Sequence, residues 1–124
     1  MLWLPTISYI LELFEERLNE KPLLLNKEGL KSTLDKVEWG IPFKPEISIW
    51  DRVAILYRDI IEEHFFADGN KRIGFLISII FLNKNGYFFD TTNEDVYEMT
   101  IEGAQGKKTF IDIKEWFKTH SKSI

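Results

Sequence analysis

The chain has 124 residues, 44% hydrophobic and 15% aromatic, a composition that excludes a disordered polymer and is long enough for one domain with its own core. Sixteen Lys and Arg against twenty Asp and Glu leave a net charge of −4, which disfavours a sequence-independent nucleic-acid binder. There is no cysteine, so disulfides, thiol catalysis and Cys-ligated zinc are excluded, and a reducing cytoplasm is the expected compartment.

Taken in order, Thr6 or Ser8 caps a first helix whose Ile7, Ile10, Leu11, Phe14 and Leu18 repeat with a 3.6-residue period. Its acidic residues Glu12, Glu15 and Glu16 read as a solvated face, and Pro22 bars its continuation. Leu23, Leu24 and Leu25 form a short apolar connection. Asn26 caps a second helix over about residues 27–37, with Leu30, Leu34 and Val37 as its buried stripe. Gly29 in its first turn costs about 1 kcal/mol relative to alanine. It is either a tolerated glycine or a sign of close packing.

Two prolines and a glycine make Glu38 to Pro45 a loop or short hairpin, in which Trp39, Ile41 and Phe43 alternate as in a strand. Ser48, with Asp51 three residues on, caps a third helix over about residues 49–63. It is apolar over more than half its circumference and delivers His64 at its C-terminal end. A fourth helix, about residues 70–84, is apolar on nearly every face and must be enclosed by neighbours. Asn85 and Gly86 stop it. Tyr87 to Asp90 is an apolar crossing. Thr92 or Asn93 caps a fifth helix, which Gly103 and Gly106 end. Thr109 caps a sixth, with Ile111, Ile113, Trp116 and Phe117 packing inward. His120 reads as a solvated side chain.

The expected fold is mainly α: a bundle of about six helices around the central fourth, in one domain spanning residues 1–124. No run of about 18 uncharged apolar residues predicts a membrane span. The opening Met1-Leu2-Trp3-Leu4-Pro5 lacks the basic region and cleavage pattern of a signal peptide.

The chemistry concentrates in His64-Phe65-Phe66-Ala67-Asp68-Gly69-Asn70-Lys71-Arg72. A base, a carboxylate, a glycine turn, an amide and two cations precede a long helix. A helix start presents unpaired N–H groups to an anion. Asp68 can hold Mg²⁺ through oxygen, and His64 has a pKa suited to proton abstraction near neutrality. Each residue alone has an ordinary reading: a helix-end histidine, a turn aspartate, a solvated cation pair.

The run His-x-Phe-x-Asp-Gly-Asn-Lys-Arg resembles the signature of the Fic/Doc superfamily, and its Doc (death-on-curing) branch in particular. The resemblance implies a general base at His64, a Mg²⁺ ligand at Asp68 and nucleotide phosphates on Gly69, Asn70, Lys71 and Arg72. Phe66 then buries its ring beneath the loop as structural support. It also implies a hairpin flap that clamps the target as an added strand. Trp39, Gly40, Ile41, Pro42 and Phe43 are the candidate flap.

Fic AMP-transferases typically carry glycine at the position of Lys71 and a second arginine at that of Phe75. In the Doc branch this change goes with a reversed nucleotide that presents the γ-phosphate. The implied reaction is transfer of the γ-phosphate of ATP, with Mg²⁺, to a Ser/Thr hydroxyl of a protein target, by analogy a translation elongation factor. AMP transfer and an inactive binding module are the alternatives. The nearest approach to the family's inhibitory motif, at Ser8 to Leu13, lacks its last residue. A separate antitoxin acting in trans is therefore expected by the same resemblance.

Overall fold

The computed structural model describes residues 1–42, 44 and 46–124, and among these it has six helices and a two-stranded sheet. The helices are α1 (Ile7–Leu18), α2 (Lys27–Trp39), α3 (Ile49–Glu63), α4 (Asn70–Lys84), α5 (Asn93–Ala104) and α6 (Phe110–Thr119). The strands are β1 (Tyr87–Phe89) and β2 (Ser121–Ser123). The mainly α architecture expected from periodicity is the one observed.

Side chains start five of the helices. Thr6, Asn26, Ser48, Thr92 and Thr109 each accept the N–H three residues on. The exception is α4. Gly69 precedes it with φ +80° and no side-chain cap.

Two helices share the centre. α4 packs against α1, α3, α5 and β1, while α3 also holds α2, α5 and α6. Ile73, Ile77, Phe81 and Leu82 of α4 are buried against Val53, Leu56, Tyr57 and Ile60 of α3 and the rest of the core. Gly74 lets these helices close. A Cβ there would stand 2.9 Å from Ile61 Cγ2 and 3.2 Å from Ile60 Cγ2. Those methyls belong to β-branched side chains with little freedom to move. Gly74→Val should therefore lower stability by about 2 kcal/mol through overpacking. An unchanged urea midpoint would show that the interface is looser than these distances.

Elsewhere the structure refines the sequence reading. The crossing after α4 is a strand. β1 pairs antiparallel with β2, Tyr87 opposite Ser123 and Phe89 opposite Ser121. Phe89 is buried and Phe88 is exposed, as alternation requires. Ile111 does not pack inward; it is 67% exposed, and its neighbour Phe110 meets the core. Gly103 lies within α5, where a Cβ would stand 3.0 Å from Ile61 Cδ1. His120 is half-buried: its Nδ1 lies 2.9 Å from the Trp116 carbonyl and its Nε2 3.9 Å from Asp95.

The described part of the candidate flap lies at the end of α3 away from His64. Arg52, in the first turns of α3, donates to the carbonyls of Val37 and Glu38, capping the end of α2. Lys44 N–H donates to Ile41 O at 3.1 Å, closing a tight turn, and Lys44 Nζ lies 3.8 Å from Asp51. Asp51 closes the capping box with Ser48, and its second oxygen faces Lys114 of α6 at 3.1 Å. Burial alone would raise its pKa. The Ser48 and Lys114 contacts outweigh that and hold it below the ordinary aspartate range.

The segment around Trp39, Gly40, Ile41 and Pro42 thus sits on the N-terminal end of α3. His64 follows the other end, about 20 Å away at about 1.5 Å per residue. Proximity in sequence to the motif did not mean proximity in space. Phe43 lies outside the described residues.

Candidate active site

The loop between α3 and α4 is held from three sides. His64 closes α3 in the left-handed region, φ 52°, and its side chain is exposed. Histidine is one of the few residues beyond glycine that enters this region readily. The sharp turn sends Phe65 and Phe66 inward, where both are buried. The Phe66 ring meets Phe14 of α1 with centroids 5.1 Å apart. Phe65 lies over Gly29. A Cβ at Gly29 would stand 2.8 Å from the Phe65 ring, so this glycine marks close packing.

The second anchor was not visible in the sequence. Ala67 N–H donates to Leu23 O at 2.9 Å, and Leu25 and Asn26 N–H both donate to Phe65 O, at 2.8 and 3.1 Å. The three leucines between α1 and α2 are therefore a strand-like clip, bridged antiparallel at Leu24 and Phe66. Leu23 and Leu25 are each 62% exposed. Among the described residues, nothing bonds the N–H or C=O of Leu24, which point away from the loop. A three-residue leucine run after proline was the one available signal, and leucine is not a strong strand former.

Asn70 is the third anchor. Its Oδ1 accepts Phe66 N–H at 3.0 Å and its Nδ2 donates to Phe66 O at 2.8 Å. The residue is 7% exposed. Asn70 was expected to donate to a phosphate; in this structure its amide braces the loop instead. That reciprocal pairing satisfies two backbone groups of a buried residue.

At the mouth, Gly69 turns with φ +80° under Arg72, and a Cβ there would stand 2.6 Å from Phe14 Cζ. The amide groups opening α4 have no side-chain cap, so they face outward with the positive end of the dipole. Asp68 Oδ1 accepts Gly69 N–H at 2.7 Å, and Oδ2 lies 3.9 Å from Arg72. With its side chain 90% exposed, the carboxylate keeps lone pairs toward solvent. One such carboxylate plus phosphate oxygens suits Mg²⁺, so the donor chemistry fits that ion.

Lys71 is exposed and beyond ion-pair distance of every acid among the described residues. Arg72 is not free. Its two terminal nitrogens meet Glu20 Oε1 and Oε2 at 2.6 and 3.2 Å. This hydrogen bond raises the Arg72 pKa further above its ordinary value.

Beside these cations opens a cavity of about 610 Å³ between α4 and α5. Lys71 and Arg72 stand at one part of its wall, and Phe75, Ile79, Val96 and Tyr97 give it apolar sides. Phe75 is tied into the aromatic core, its ring 6.0 Å from Phe89 and 6.5 Å from Trp116.

A helical bundle in which one loop carries an exposed imidazole, an exposed carboxylate and an uncapped helix start, with the two cations that follow standing on the wall of a cavity, has the parts of a phosphate-handling transferase. The sequence matches the family model described as Fic/DOC family over residues 18–82, more than half of the chain, and the protein belongs to that family. Its members are generally nucleotide-dependent transferases. No curated protein matched the chain. The match spans the leucine clip, α2, α3, the loop and α4 to Leu82, whereas α5, which walls the cavity, lies beyond it. No helix among the described residues is long and apolar enough to cross a membrane.

Proposed function

We propose that this protein is a Doc-like toxin kinase, which transfers the γ-phosphate of ATP to a Ser/Thr hydroxyl of a protein target. The observation that carries this reading is the pairing of Lys71 with Phe75. Phe75 is an apolar wall of the cavity, packed into the aromatic core, so the second cation of an AMP-transferase has no counterpart there. Among the described residues that line the cavity, positive charge is confined to Lys71 and Arg72 at the helix start.

In this reading the nucleoside lies in the cavity, with its base against Phe75, Val96 and Tyr97. The phosphates meet the open amides of α4 together with Lys71 and Arg72. Asp68 would hold Mg²⁺, which would neutralise charge on those phosphates. The exposed His64 imidazole takes the proton of the incoming hydroxyl. The acceptor chain pairs with the outer edge of Leu24, between the exposed Leu23 and Leu25, rather than with residues 39–43. That edge adjoins the loop carrying His64. A translation elongation factor is the target class by family analogy, and a separate antitoxin is the expected inhibitor.

ATP labelled at the α- or the γ-phosphate, incubated with the protein, Mg²⁺ and a cell lysate, tests the reading. Label reaching protein only from the γ position is expected. Label from the α position would instead establish AMP transfer. No transfer from either would leave a binding module.

A further inference from the structure

We infer that Glu20 is a built-in competitor for Arg72, so that a phosphorylated ligand must displace this carboxylate before it can use the arginine. The inference rests on Arg72 being a phosphate ligand. Its own basis is the fork. Both Glu20 oxygens meet terminal nitrogens of Arg72, at 2.6 and 3.2 Å, which is the geometry a phosphate would adopt.

Glu20 is not a loose surface acid that met an arginine by chance. Asn19 turns the chain out of α1 in the left-handed region, φ 55°. Pro22 limits the backbone just beyond. From Leu23 the chain is hydrogen-bonded to the loop that carries His64. Residue 20 is therefore held between two fixed points, with its carboxylate facing the site.

The pair is also weak enough to yield. The Arg72 and Glu20 side chains are 47% and 40% exposed. An ion pair in such a setting adds little stability and is screened by salt. A polyphosphate offers the same fork more charge and brings contacts to Lys71 and the helix amides as well. Once displaced, Glu20 still lies beside the phosphates and repels them. The penalty it imposes therefore grows with ligand charge, and it is absent for a ligand without phosphate.

Calorimetric titration with ATP, AMP and adenosine at low salt tests this in the parent, Glu20→Gln, Arg72→Ala and the double variant. Glu20→Gln should tighten ATP binding about fivefold. The gain should be smaller for AMP, nil for adenosine, and reduced at high salt. In the Arg72→Ala background, Glu20→Gln should keep only the small part of that gain that comes from lost repulsion.

Unchanged or weaker ATP binding by Glu20→Gln would overturn the inference. So would an equal gain for adenosine, or a gain that is undiminished without Arg72. If the parent binds ATP in an Arg72-dependent way and position 20 has no effect, the inference alone fails. If the parent shows no Arg72-dependent ATP binding, the functional reading fails with it.

Discussion

His64→Ala should reduce phosphate transfer by about 10²–10⁴-fold, the usual contribution of a positioned general base. The substitution changes more than the proposed base, however. His64 sits at φ 52°, where alanine lacks the tolerance that histidine has. Part of any loss could then come from a strained turn at the start of the loop, at about 1 kcal/mol. His64→Asn separates the two effects. Asparagine enters the left-handed region readily and cannot act as a base.

Both variants should lose transfer. Only the alanine variant should melt lower, by about 3–5 °C for a domain of this size. Growth arrest on expression should disappear with both. If His64→Asn keeps transfer within about tenfold of the parent, His64 is not the base, because the chemical loss should far exceed the backbone effect.

What could be seen in the sequence divides by range of interaction. The caps at Asn26, Ser48 and Thr109, and those at Thr6 and Thr92 to within a choice with Ser8 and Asn93, were legible because each is a contact over three residues. The extent of α3 followed from its apolar pattern, and that of α4 from a continuous apolar run between strong stops. The loop motif was legible because its groups are contiguous. Contacts between distant segments were not. Arg72 meets Glu20 across 52 positions, and no local pattern marks that glutamate. The leucine clip, the Ser-Lys-Ser strand and the burial of Phe65 on Gly29 each depend on a partner elsewhere in the chain. The distance of the candidate flap from His64 was hidden for the same reason. A long helix separates residues 39–42 from the site, and only the three-dimensional path reveals that it runs away from it.

Asn70 is where the sequence reading and the structure ask for different experiments. A phosphate ligand at Asn70 would leave the fold untouched when removed and would weaken nucleotide binding, raising KM for ATP. A brace would act otherwise. Its amide bonds both the N–H and the C=O of Phe66, at 3.0 and 2.8 Å, within a buried segment. Asn70→Ala leaves those two backbone groups without partners, at a cost of about 2 kcal/mol or about 5–10 °C in Tm. The loop that carries His64 then loosens, and a base displaced by about 1 Å can lose about 10² in rate.

The expected signature is a lower Tm together with a fall in kcat that exceeds the rise in KM. Asn70→Asp sharpens the distinction. It keeps an acceptor for Phe66 N–H but sets a carboxylate oxygen against the Phe66 carbonyl, so it too should melt below the parent. A parent-like Tm in both variants, with KM alone affected, would return Asn70 to the phosphates and leave the support of the loop to the hydrogen bonds from Leu23 to Asn26.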